Sequence, residues 1–169
     1  MSNSEMKHSI ETAAERLIRK HLTLAFAESA TAGKASAAFS LARDAGKFLK
    51  GGFVCYDAKL KCDVLHVPQE MLDKFSPESI EVTNAIALGL TDLIPADIHI
   101  GITGLPCPGG SESFEKPVGT MFVSAFLKGE PWFSERMLFH GSHEQIVDHT
   151  VIYVANKLIN CPERFVPAP

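Results

Sequence analysis

The sequence predicts an α/β fold in which helices flank a mixed sheet. Two observations carry this reading. Short apolar runs alternate with helical stripes in the order β-α-β-α-α-β-β-β-α, behind a leading helix. The last two β-rich runs are joined only by KGEP at 128–131, which reads as an antiparallel hairpin. Nothing marks an internal repeat or a second domain. Residues 1–161 are therefore read as one domain, and 162–169 as a tail expected to be disordered.

Taken in order, Ser4 to Lys20 places Met6, Ile10, Ala13, Ala14, Leu17 and Ile18 on one helical stripe. Leu22 to Ala27 reads as a strand running into the polar corner Glu28-Ser29. Thr31 to Arg43 is Ala-rich and reads as a helix ending before Gly46. Gly51-Gly52 opens a second strand, Phe53 to Tyr56, and Asp57 caps a short helix through Leu65. Pro68 to Phe75 makes another turn or two. A long helix to Leu93 starts at Ser76-Pro77 or at Ser79. Asp97 to Thr103 alternates like a strand, and Gly104 to Pro117 is the most irregular segment. Val118 to Leu127 and Trp132 to Phe139 form the hairpin. Ser142 and Gln145 match a capping box ahead of a helix to about Leu158.

Composition narrows the function. A 46% hydrophobic, 21% charged chain is ordinary for a globular protein, and a net charge of −4 lacks the broad basic footprint of a nucleic-acid binder. Cys55, Cys62, Cys107 and Cys161 form no CxxC pair, so a zinc ribbon or disulfide framework is not expected and reduced cytoplasmic thiols are. MSNSEMKHSIE has no signal-peptide core, and no apolar run approaches the roughly 18 residues a membrane span needs.

Chemistry is expected where strands end, because ligands of open α/β sheets gather at strand carboxyl ends. Ser29 stands between a strand and a helix N-terminus, a position for a nucleophile, an anion site or a simple cap. Ala30, Ala32 and Gly33 leave room beside it. The loop after the third strand offers backbone N–H groups at Gly104, Gly109, Gly110 and Ser111, either as an anion-binding concavity or as plain surface; it is neither a Walker A loop nor a dinucleotide fingerprint. Lys61, five residues after Tyr56, would fold back toward the strand end or simply be solvated. As a base near neutral pH it needs its pKa lowered by roughly 3 units, about 4 kcal/mol. His140, His143 and His149 with Glu144 lack helical ligand spacing, and no metal is expected.

Four stretches fall into a pattern: AESATAG at 27–33, GGFVCYDAKLK at 51–61, ITGLPCPGG at 102–110 and EKPVGT at 115–120. In this order and spacing the chain resembles the nicotinamide-nucleotide amidase family, also known as the C-terminal domain of the competence-damage-inducible protein CinA. The resemblance implies a three-layer α/β/α sandwich with a mixed sheet. It also implies hydrolysis of nicotinamide mononucleotide to nicotinate mononucleotide and ammonia, with no metal or cofactor, in a homo-oligomer. The family's catalytic serine, tyrosine and lysine fall on Ser29, Tyr56 and Lys61. Ala30, Thr103, Gly104, Gly109, Gly110, Ser111 and Lys116 are the expected substrate contacts, with Thr103 and Lys116 on the ribose phosphate. The expected partner is a small nucleotide, not nucleic acid or membrane. The chain departs from the family pattern at Ala30 (usually Cys), Ala32 (usually Gly), Asp57-Ala58-Lys59 (Ser-Asn-Glu), Leu105-Pro106-Cys107 (Ile-Ala-Gly) and Ser142-His143 (Asp-Arg or Asn-Arg). A nucleotide-binding module without the reaction, or an amidase for another small carboxamide, are the alternatives.

Overall fold

The structure is a computed structural model that describes residues 3–162. Of the expected tail, everything after Pro162 lies outside the described residues. The elements are α1 (Asn3–Arg19), β1 (Leu24–Glu28), α2 (Lys34–Ser40), a 3-10 turn (Ala45–Lys47), β2 (Leu49–Val54), α3 (Ala58–Asp63), α4 (Gln69–Phe75), α5 (Ile80–Leu93), β3 (Ile98–Gly104), β4 (Thr120–Leu127), β5 (Glu130–Leu138) and α6 (His143–Ile159). They form a three-layer α/β/α sandwich around a mixed sheet of order β2-β1-β3-β4-β5. β1 runs parallel to β2 and β3, and β4 and β5 are antiparallel additions.

Alternation along β1 explains the two outer layers. Leu24 and Phe26 face one way, into a core shared with α1, α2 and α6, while Ala25 and Ala27 face α5 and the α3–α4 segment. Phe26, Phe39 and Phe48 pack ring against ring on the first face, with centroids 5.4 and 6.4 Å apart. The second face is built of small residues, so α5 lies close to the sheet. A Cβ on Gly101 would stand 2.5 Å from the Thr83 carbonyl oxygen.

Several boundaries move from their expected places for identifiable reasons. β2 begins at Leu49, not Phe53, because Gly51 and Gly52 are ladder residues opposite Ala25 and Phe26. Tyr56 therefore lies beyond the strand. α2 starts only at Lys34, because Ala32 (φ 48°) and Gly33 (φ 93°) turn left-handed ahead of it. The hairpin turns on Lys128 and Gly129, both at positive φ, so β5 already begins at Glu130 and holds Pro131 on an edge strand. Of the two caps considered for α5, Ser79 is the one used, accepting from the Val82 N–H. Both halves of the Ser142–Gln145 capping box are formed. No described helix is long and apolar enough to cross a membrane.

Candidate active site

The strand order places the carboxyl ends of β2, β1 and β3 side by side. Ser29 follows β1, Tyr56 follows β2, and the 104–110 loop continues β3. All three line one cleft of about 210 Å³, together with Ala30 and Glu78. A cavity of about 290 Å³ between α1 and α2 is lined by Met6, Ile10 and Leu41 with Lys7 and Glu11, and among the described residues no serine, threonine or cysteine lines it.

Ser29 does not cap α2. That work falls to Glu28, which is fully buried. One carboxylate oxygen accepts from the Thr31 hydroxyl and the N–H groups of Gly33 and Ala35; the other accepts from the Ser36 N–H and hydroxyl. A carboxylate thus fills the positive end of the helix and satisfies its free donors. The Ser29 side chain is left for other use, and its own N–H is anchored to the Ile102 carbonyl of β3.

The partner of Ser29 is Lys61. Asp57 caps α3 by accepting from the Lys59 N–H, which starts the helix where its second turn swings Lys61 back under the sheet edge. Lys61 is 1% exposed, and its Nζ donates to Ser29 Oγ at 3.0 Å and to the Cys55 carbonyl at 3.0 Å. No carboxylate forms an ion pair with it among the described residues. Burial pushes its pKa below the ordinary lysine value, opposed in part by the charges of Cys55, Glu78 and Asp57. The amine is thus held at its target with its charged form disfavoured, as a general base requires.

The remaining expected residues divide. Tyr56 is 62% exposed beside the cleft, and its hydroxyl has no hydrogen-bond partner among the described residues. Lys61 is held by the carbonyl of the neighbouring Cys55 instead. Ala30 lines the cleft and carries an N–H without a partner among the described residues. Gly104, Gly109 and Gly110 line it as well. Within the loop the Gly109 N–H donates to Glu112 at 2.9 Å, and this bond, with the Gly110 N–H, holds the Glu112 carboxyl below its usual range.

Two expectations need correction. Thr103 is fully buried and its hydroxyl lies 2.6 Å from that of Thr83, so it does not reach the cleft. Lys116 lines a different pocket, toward Arg136 and Phe122. Its ammonium donates to Ser76 Oγ, Ser111 Oγ and the Glu78 carbonyl at 2.6, 2.7 and 2.8 Å, and so ties the loop to the start of α5. Ser111 belongs to that tie: its hydroxyl also donates to Glu78 Oε2.

Sequence reasoning missed Glu28 and Glu78. An acid directly after a buried strand and a few residues before a helix start was the available signal for the first. Glu78 sits between two candidate capping serines and gave no signal of its own. Among the described residues, no group of three or more His, Cys, Asp or Glu is placed to hold a metal ion.

Comparison with known proteins fits this geometry. A sequence model of the CinA C-terminal domain matches residues 6–161. A putative competence-damage inducible protein of Desulforudis audaxviator is 36% identical over 141 residues, which cover 83% of this chain and 34% of the relative. A CinA-like protein of Desulfotalea psychrophila is 33% identical over 132 residues. The chain thus spans about a third of the length of these curated relatives. A crystal structure of a competence-damaged protein (CinA) superfamily protein from Escherichia coli superposes with a TM-score of 0.87 at 30% identity, covering 96% of this chain and 94% of that one. The competence/damage inducible protein CihA of Agrobacterium tumefaciens gives 0.82 at 28% identity, covering 90% and 94%. With the family model spanning nearly all of the described residues, the chain belongs to the CinA C-terminal domain family.

Proposed function

We propose that this chain is a serine amidase that hydrolyses the carboxamide of nicotinamide mononucleotide. The observation that carries the reading is the buried, unpaired Lys61 amine 3.0 Å from the Ser29 hydroxyl. In its neutral form the amine accepts the Ser29 proton while still donating to the Cys55 carbonyl. Ser29 Oγ then bonds to the amide carbon, and the oxyanion that forms is met by the Ala30 N–H. Lys61 returns the proton to the amide nitrogen, the C–N bond breaks, and ammonia leaves an acyl-Ser29 ester. Water attacks that ester, Lys61 takes its proton, and the carboxylate product departs as Ser29 recovers its hydrogen.

Tyr56 acts from the substrate side in this scheme. Its exposed ring borders the cleft and also a second pocket, which it shares with Ala30 and which carries Lys34 and His143. The substrate phosphate is assigned to that second pocket, next to the N-terminus of α6. Lys34 already pairs with Asp148 there and stands 4.0 Å from Glu144.

A second reading, hydrolysis of a carboxamide without a phosphate, is favoured by one observation: among the described residues, no lysine, arginine or histidine lines the Ser29 cleft itself. One experiment separates the two. The purified chain is given nicotinamide mononucleotide, nicotinamide and simple aliphatic amides, and ammonia and the acid product are quantified. Release from the mononucleotide with nicotinate mononucleotide as co-product supports the first reading, and release only from the others supports the second. Release from none sinks the amidase assignment.

A further inference from the structure

We infer that Glu78 is a specificity-determining residue of the cleft, selecting a carboxamide carried on a positively charged, N-substituted pyridinium ring over the same carboxamide on a neutral ring. The inference rests on the amidase reading only in placing the carboxamide at Ser29. Among the described residues lining the cleft, Glu78 is the one that carries a charge. The two nearby cations are turned elsewhere. Lys61 is buried against Ser29 and the Cys55 carbonyl, and the Lys116 ammonium is spent on Ser76, Ser111 and the Glu78 backbone.

The carboxylate is also held in place. Ser111 donates to Oε2, and Ser111 is itself fixed by the Lys116 ammonium. Glu78 lies between Pro77 and the Ser79 cap of α5, and its backbone carbonyl accepts from the Lys116 ammonium. Its charge acts on both Lys61 and Lys116, opposing part of the lowering that burial imposes on each. A fixed negative charge in a half-enclosed cleft attracts a ring that is cationic at every pH, and gives a neutral pyridine little. Nicotinamide mononucleotide carries such a ring, and a phosphate alone does not explain an acid in this position.

The test is binding, so it does not depend on turnover. Calorimetry measures the dissociation constants of 1-methylnicotinamide and nicotinamide with the native chain and with Glu78→Gln, whose amide oxygen still accepts from Ser111. The cation is expected to bind the native chain roughly 5- to 10-fold more tightly than the neutral ring, less so in high salt. In Glu78→Gln that preference falls to within about twofold. Equal binding in the native chain, a preference that survives Glu78→Gln, or no binding of either compound overturns the inference. Cation preference without ammonia release would leave this inference standing while the amidase reading fails.

Discussion

The Nζ of Lys61 lies 3.0 Å from the Oγ of Ser29, a residue 32 positions earlier, with Lys61 buried behind a Ser29 that lines the cleft. Everything chemical follows from which of the two holds the proton. Burial disfavours the ammonium, so Lys61 loses its proton below the ordinary value of 10.5. Below the lowered pKa the amine is charged and cannot accept; above it the base is available. The rate kcat/KM is therefore expected to rise with pH through an apparent pKa under 10.5. Lys61→Arg stays charged throughout, and a loss of about 10²–10⁴-fold without that rising limb is expected. The same shift acts on stability. Between the lowered pKa and 10.5 the unfolded chain binds more protons than the folded one, so stability rises with pH across that window.

Glu28 sets the turn that presents Ser29. Glu28→Gln keeps the size but places an NH₂ among donors that all point at the same two oxygens. At least one buried donor then meets another donor. A loss of about 2–4 kcal/mol is expected, read as a lower urea midpoint, with activity falling at temperatures where the chain is still folded.

Gly52 reports on the same network from the neighbouring strand. A Cβ there would stand 2.1 Å from Ser36 Oγ, a side chain that can rotate only by giving up its bond to Glu28. Gly52→Ala is expected to cost about 1–2 kcal/mol. In a Ser36→Ala background the obstructing oxygen is gone, and a double-mutant cycle should show the two changes costing less together than their sum.

Cys55 lends its carbonyl to Lys61 while its thiol is buried, and burial pushes the thiol pKa up to about 11. Because the thiolate is the reactive form, Cys55 is expected to resist iodoacetamide at pH 8 in the folded chain and to label once urea unfolds it. Peptide mapping by mass spectrometry reads the difference.

Much of this was legible in the sequence where one physical rule governs one short segment. The leading helix, the first three strands, the Ser142–Gln145 box and the hairpin each follow from periodicity, turn chemistry or capping alone. The departures arose where a residue outside the segment decides. Thr31 to Arg43 is helical by composition, yet Glu28 draws the first turn into left-handed geometry and delays α2 to Lys34. An acidic chain needs a local cation for a phosphate, which points to Lys116, but Ser76, Ser111 and the Glu78 carbonyl, brought to it only by folding, hold its ammonium. Residue types at two strand ends make Ser29 and Lys61 candidates, and only the resemblance to a family joins them as a pair. The Cys55 carbonyl that orients the amine is backbone, and no residue type announces it.

The most direct measurement is ammonia release from nicotinamide mononucleotide by the native chain and by Ser29→Ala, with folding checked by circular dichroism. Loss of the nucleophile is expected to lower the rate by at least about 10³-fold while circular dichroism reports an unchanged fold. Equal release by both proteins would mean that the hydroxyl beside Lys61 takes no part in breaking the amide bond.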